Sequence, residues 1–67
     1  SVIGIGRYHK GEKILAFFNF GHEEKTIHTG EGGMYELLAG NEHIKKGPVS
    51  PETLTLPAHG FAWYKSL

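Results

Sequence analysis

Sixty-seven residues make at most one domain, and a domain of this size buries only about 60% of the surface its unfolded chain exposes, so marginal stability is expected. Seven basic and seven acidic side chains cancel, which excludes the electrostatic footprint of a nucleic-acid or anionic-membrane binder, and no apolar run is long enough to cross a bilayer as a helix. The absence of cysteine excludes a disulfide scaffold and a thiolate metal or redox site, and it favours a reducing, cytoplasmic compartment.

In chain order, residues 2–9, VIGIGRYH, set β-branched residues and Tyr8 around two glycines that would each cost a helix about 1 kcal/mol against alanine, and they read as a first strand. Lys10, Gly11 and Glu12 form a polar interval of hairpin length, so the next strand should lie antiparallel beside the first. That strand, KILAFFNFG at 13–21, is the centre of the chain. With side chains alternating, Ile14, Ala16, Phe18 and Phe20 point one way and Leu15, Phe17 and Asn19 the other, so both faces need cover. A chain this short can hardly build two covering layers, and without an initiator methionine it reads as a piece of a longer protein that supplies the missing one. Asn19, at the end of the strand before Gly21, is expected to cap the turn through its side-chain amide.

Residues 23–29 alternate with Ile27 on one face and read as an outer strand, after which Gly30, Gly32 and Gly33 break the chain. The segment 34–38 also fits a helical stripe, but glycines at 33 and 40 leave too little length for one. The expectation is a strand, a turn over 39–42 and a short strand through Ile44. The Lys45 and Lys46 pair then reads as a solvated turn, and Pro48 and Pro51 mark a loop. Residues 53–56, TLTL, and 61–65 complete about seven short strands, the pattern of an all-β antiparallel sandwich or partly closed barrel.

Residues that carry chemistry are scattered. None of the histidines His9, His22, His28, His43 and His59 has a partner at tight metal-ligand spacing, and three of them fall at turns, so surface and capping roles are expected. Glu23 and Glu24 are adjacent, which in a strand points them to opposite faces and makes a poor acid and base couple. Ser1, Ser50 and Ser66 offer no nucleophile triad, and Gly4-Ile5-Gly6 lies within a strand rather than before a helix, so it is no phosphate loop. No catalytic, cofactor or metal residue is expected. The aromatics Tyr8, Tyr35, Phe61, Trp63 and Tyr64 serve either as core or as a sugar-stacking platform.

Three stretches taken in order, KILAFFNF at 13–20, YELLAG at 35–40 and LTLPAHGFAWY at 54–64, resemble the C-terminal β-domain of the α-amylase family, glycoside hydrolase family 13. The opening VIGIGRYH looks most like the amylosucrase and the sucrose- or trehalose-converting branches. The resemblance implies a small antiparallel Greek-key β-sandwich, a single accessory domain over 1–67, belonging to a larger glucosidase or transglucosidase acting on α-glucosides. That family's chemistry uses two aspartates and a glutamate on a (β/α)8 barrel, and this chain contains no aspartate, so no catalytic residue carries over to it. Its implied role is to pack on and stabilise the barrel of its own parent chain. The alternative is a stand-alone carbohydrate-binding module that takes an oligosaccharide on Trp63 with Tyr64 or Tyr8.

The faces can be assigned from alternation. Phe18, Phe20, Phe61 and Trp63, with Leu54 or Leu56, suffice to fill a small interior, which turns Leu15, Phe17, Ala62 and Tyr64 outward as the expected barrel interface. A one-residue change of register exchanges the two sets and leaves the two-sidedness intact.

Overall fold

The structure, a computed structural model, describes residues 2–41, 44 and 46–67. Among these residues the chain forms six strands in two antiparallel sheets, an all-β arrangement compatible with a small β-sandwich, where about seven strands were expected. The strands are β1 (Val2–His9), β2 (Glu12–Asn19), β3 (Lys25–His28), β4 (Tyr35–Gly40), β5 (Thr53–Leu56) and β6 (Phe61–Ser66). The larger sheet runs β1-β2-β6-β4, and β3 and β5 pair in a second sheet of two.

The first hairpin is fixed by turn chemistry. Lys10 and Gly11 alone separate β1 from β2, and both have left-handed backbones at φ 50° and 80°, the paired positive φ that a two-residue hairpin turn requires. Register then places Ile3 beside Phe18, Gly4 beside Phe17, Ile5 beside Ala16 and Gly6 beside Leu15. β2 is central as expected, with β6 on its other side pairing Leu15 with Tyr64 and Phe17 with Ala62.

The core contains Leu15, Phe17, Tyr35, Ile44, Leu54, Leu56, Ala62 and Tyr64, with Val2, Ile27, Leu37 and Val49 packed on it. The expected inside and outside of the larger sheet are therefore exchanged. Leu15, Phe17, Ala62 and Tyr64 are at most 7% exposed, whereas Phe20, Phe61 and Trp63 lie on the surface. The glycines of β1 allow this. A methyl group at Gly4 would stand 3.0 Å from the Phe17 ring, so Phe17 extends over the bare backbone of Gly4, which is itself exposed.

Asn19 explains the rest. It shares the inner face with Leu15 and Phe17, is 1% exposed, and its Nδ2 donates to the carbonyls of Glu23 at 2.8 Å and Pro57 at 2.9 Å while its Oδ1 accepts from the Gly21 amide at 2.9 Å. The Asn19 amide also donates to the Gly60 carbonyl, and the His59 amide to the Gly21 carbonyl. The expected turn cap is thus a buried knot that ties the end of β2 to the turn before β6. Outward rotation of this face would strand those backbone groups.

A second correction concerns 39–44. β4 continues through Ala39 and Gly40, which pair with Trp63 and Ala62 after a bulge at Leu38, so no hairpin turns there. Beyond β4 the Ile44 amide donates to the Asn41 carbonyl, and the Asn41 side chain accepts from the Phe61 amide at 2.7 Å. Pairing with β6 outweighs the turn preference of Gly40. Of the expected turn, short strand and lysine turn, Glu42, His43 and Lys45 lie outside the described residues, while Ile44 is a buried core residue.

Candidate functional site

The outer faces of the two sheets differ in chemistry. In the small sheet, Thr26 pairs with Thr55 and His28 with Thr53 on the solvent side, joined by a 2.8 Å hydroxyl contact and a 3.3 Å ring-to-hydroxyl contact. Ile27, Leu54 and Leu56 point inward. This is the polar-out, apolar-in alternation of a sheet that meets water on one side.

The larger sheet breaks that rule. Its outward rows set Ile3 beside Phe18 and Phe61, then Ile5 beside Ala16, Trp63 and Ala39. Ile3 is 51% exposed, Ile5 57% and Trp63 44%, and Phe20 stacks on Phe18 with ring centres 6.1 Å apart. A shallow recess of about 380 Å3 opens in this face, lined by Phe18, Ala39, Phe61 and Trp63. Only the next row is charged, with Arg7 and Ile14 beside Lys65 and Glu36, and the Lys65 ammonium 2.9 Å from Glu12. That ion pair holds the Lys65 pKa above its ordinary value, chiefly through the Glu12 hydrogen bond. The arrangement is an apolar platform with a charged border at one end.

Each residue singled out from the sequence now has a place. Leu15, Phe17, Ala62 and Tyr64, the expected interface, are core, and Phe17 meets Tyr64 edge-on at 6.4 Å. Burial raises the Tyr64 pKa. Trp63 and Tyr64 are strand neighbours on opposite faces, so they cannot form one stacking platform. Tyr8 is 72% exposed and lies with the Lys13 ammonium 5.8 Å from its ring centre, on the parity of the inner face and therefore away from Trp63. Lys13 pairs with Glu31, which raises its pKa.

Glu23 and Glu24 are exposed, and among the described residues no group of three or more histidines and carboxylates comes together. His22 and His59 do meet, with ring centres 5.2 Å apart, although 37 positions separate them. Spacing along the chain gave no sign of that pair. A further recess, of about 400 Å3, runs beside Ile44, Pro48, Pro51 and Leu54 and gathers hydroxyls but no acid or base.

No protein-family model, curated protein or solved structure matches this chain.

Proposed function

We propose that this chain is a non-catalytic accessory β-domain of the α-amylase-family kind, a Greek-key sandwich that docks by the outer face of β1-β2-β6-β4 on the catalytic (β/α)8 barrel of its own parent enzyme. The observation that carries the docking role is the inverted alternation of β1. Gly4 and Gly6, themselves exposed, share the face of Phe17 and Leu15, while Ile3 and Ile5 face the other way, where they extend the Phe18, Phe61 and Trp63 surface. In line with exposed phenylalanine and tryptophan, these isoleucines make one contiguous apolar patch rather than isolated apolar side chains. The helices that surround a barrel offer apolar ridges of the kind such a face fits, and the three motif stretches named above support the family reading.

The carbohydrate-binding alternative draws less support. A sugar site needs polar groups placed around its stacking ring, and the recess beside Trp63 is lined by Phe18, Ala39 and Phe61. Two experiments test the reading. The reading frame that encodes the chain should contain, upstream of Val2, a barrel with the family's aspartate nucleophile and glutamate acid/base; a stop or start codon separating any such barrel from Val2 would refute it. Titration with maltooligosaccharides should leave Trp63 fluorescence unchanged, and a saturable shift would instead support the binding module.

A further inference from the structure

The two histidines that the fold brings together do not take part in the docking face. His22 follows Gly21 at the end of β2, and His59 stands in the turn from Pro57 to Gly60 that leads into β6. The Asn19 knot braces both turns. Its Oδ1 accepts from the Gly21 amide and its Nδ2 donates to the Pro57 carbonyl, while the His59 amide donates to the Gly21 carbonyl at 3.2 Å and the Gly60 amide to the Pro57 carbonyl at 2.8 Å. The meeting of the two rings is therefore inherited from a buried anchor rather than left to two loose side chains. His59 also holds a left-handed backbone, φ 58°, a conformation that glycine or asparagine adopts with less strain.

We propose that His22 and His59 form a two-histidine site for a divalent transition-metal ion of the zinc, copper or nickel class. The rings stand 5.2 Å apart centre to centre at 81°. Two imidazoles bound to one tetrahedral ion through metal–nitrogen bonds of about 2.0–2.1 Å place their ring centres about 5 Å apart, so the present spacing needs little adjustment. Both residues are exposed, and the torsion that turns an imidazole about its Cβ–Cγ bond is broad, so the nitrogens can converge without moving the backbone. Water completes the coordination sphere. Imidazole nitrogen suits zinc, copper and nickel, whereas calcium and magnesium take oxygen ligands. The bound ion clasps the end of β2 to the turn before β6. This site stands or falls independently of the docking reading.

The test titrates the chain with Zn2+ by calorimetry and with Cu2+ while recording the histidine ring signals by NMR. The expected result is one ion per chain, with His22 and His59 broadened together at copper levels that leave His9 and His28 sharp. His22→Gln and His59→Asn, the latter chosen because asparagine tolerates the same backbone, should each weaken Zn2+ binding by at least about tenfold, since losing a ligand costs no less than losing a group that orients one. His28→Gln should leave binding unchanged. Absence of saturable binding, binding that survives both substitutions in folded protein, or broadening spread evenly over the histidines would overturn the proposal.

Discussion

The two sheets of this molecule turn opposite chemistry toward solvent. The outer face of β3 and β5 is threonine and histidine, whereas that of β1-β2-β6-β4 is isoleucine, phenylalanine and tryptophan. Both sheets share one core, so the contrast is not a matter of which sheet the fold needs more. The small sheet shows what this sequence does where water is the neighbour. The larger sheet lacks that pattern across Ile3, Ile5, Phe18, Phe61 and Trp63, and the docking role proposed for this face rests on that contrast.

The sharpest way to separate the inner face from the outer one is to remove an aromatic from each. Phe17→Ala should cost about 3–5 kcal/mol, enough to unfold a domain of this size, because it empties the packed layer between the sheets. Trp63→Ala on the outer face should cost well under half as much, read as the shift in urea midpoint; equal losses would mean that both faces are core. Next in size is Asn19→Ala, expected to cost about 2–3 kcal/mol because it leaves buried backbone groups around Gly21, Glu23 and Pro57 without partners. An unchanged midpoint would remove the knot as the device that fixes which face is inner.

Gly4→Ala probes the same choice more gently. The added methyl presses on the Phe17 ring at 3.0 Å, and a loss of about 1 kcal/mol is expected, against near neutrality for Ile5→Ala in the isolated chain. The reverse order would place Ile5 inward. The smallest effect is a pH dependence. Burial raises the Tyr64 pKa, so the folded chain retains a proton that the unfolded chain gives up, and this contribution is intact below the ordinary tyrosine pKa near 10 and is lost as pH rises above it. Tyr64→Phe should flatten the alkaline fall in stability, while Tyr8→Phe, at an exposed position, should not.

Much of the architecture was legible because local signals agreed. β1 follows from its β-branched residues, β5 from alternation and the first hairpin from the polar interval at 10–12, whose last residue, Glu12, opens β2; the apolar run of β2 marks a central strand. The faces were not legible from hydrophobicity, since Leu15 and Phe17 weigh much the same as Phe18 and Phe20. The information lay in smaller residues: Gly4 and Gly6 alternating with Ile3 and Ile5, and Asn19 sharing the parity of Leu15 and Phe17. Charges gave a weaker sign, because Arg7, Lys65 and Glu36 fall on the outer rows while Lys13 shares the inner parity. The extent of β4 was hidden because long-range pairing with β6 overrides the turn preference of Ala39-Gly40, and the His22–His59 pair was hidden because only the Asn19 knot brings those turns together.

The outer face of the larger sheet is proposed as a contact surface. Sedimentation of the isolated chain over a wide concentration range, beside an Ile5→Lys and Trp63→Lys double variant, tests it most directly. The wild-type chain should self-associate as concentration rises, and the double variant should stay monomeric with an unfolding free energy within about 1 kcal/mol of the wild type, as substitutions at exposed positions do. A wild-type chain that remains strictly monomeric, or a double variant that unfolds as a core variant would, contradicts it.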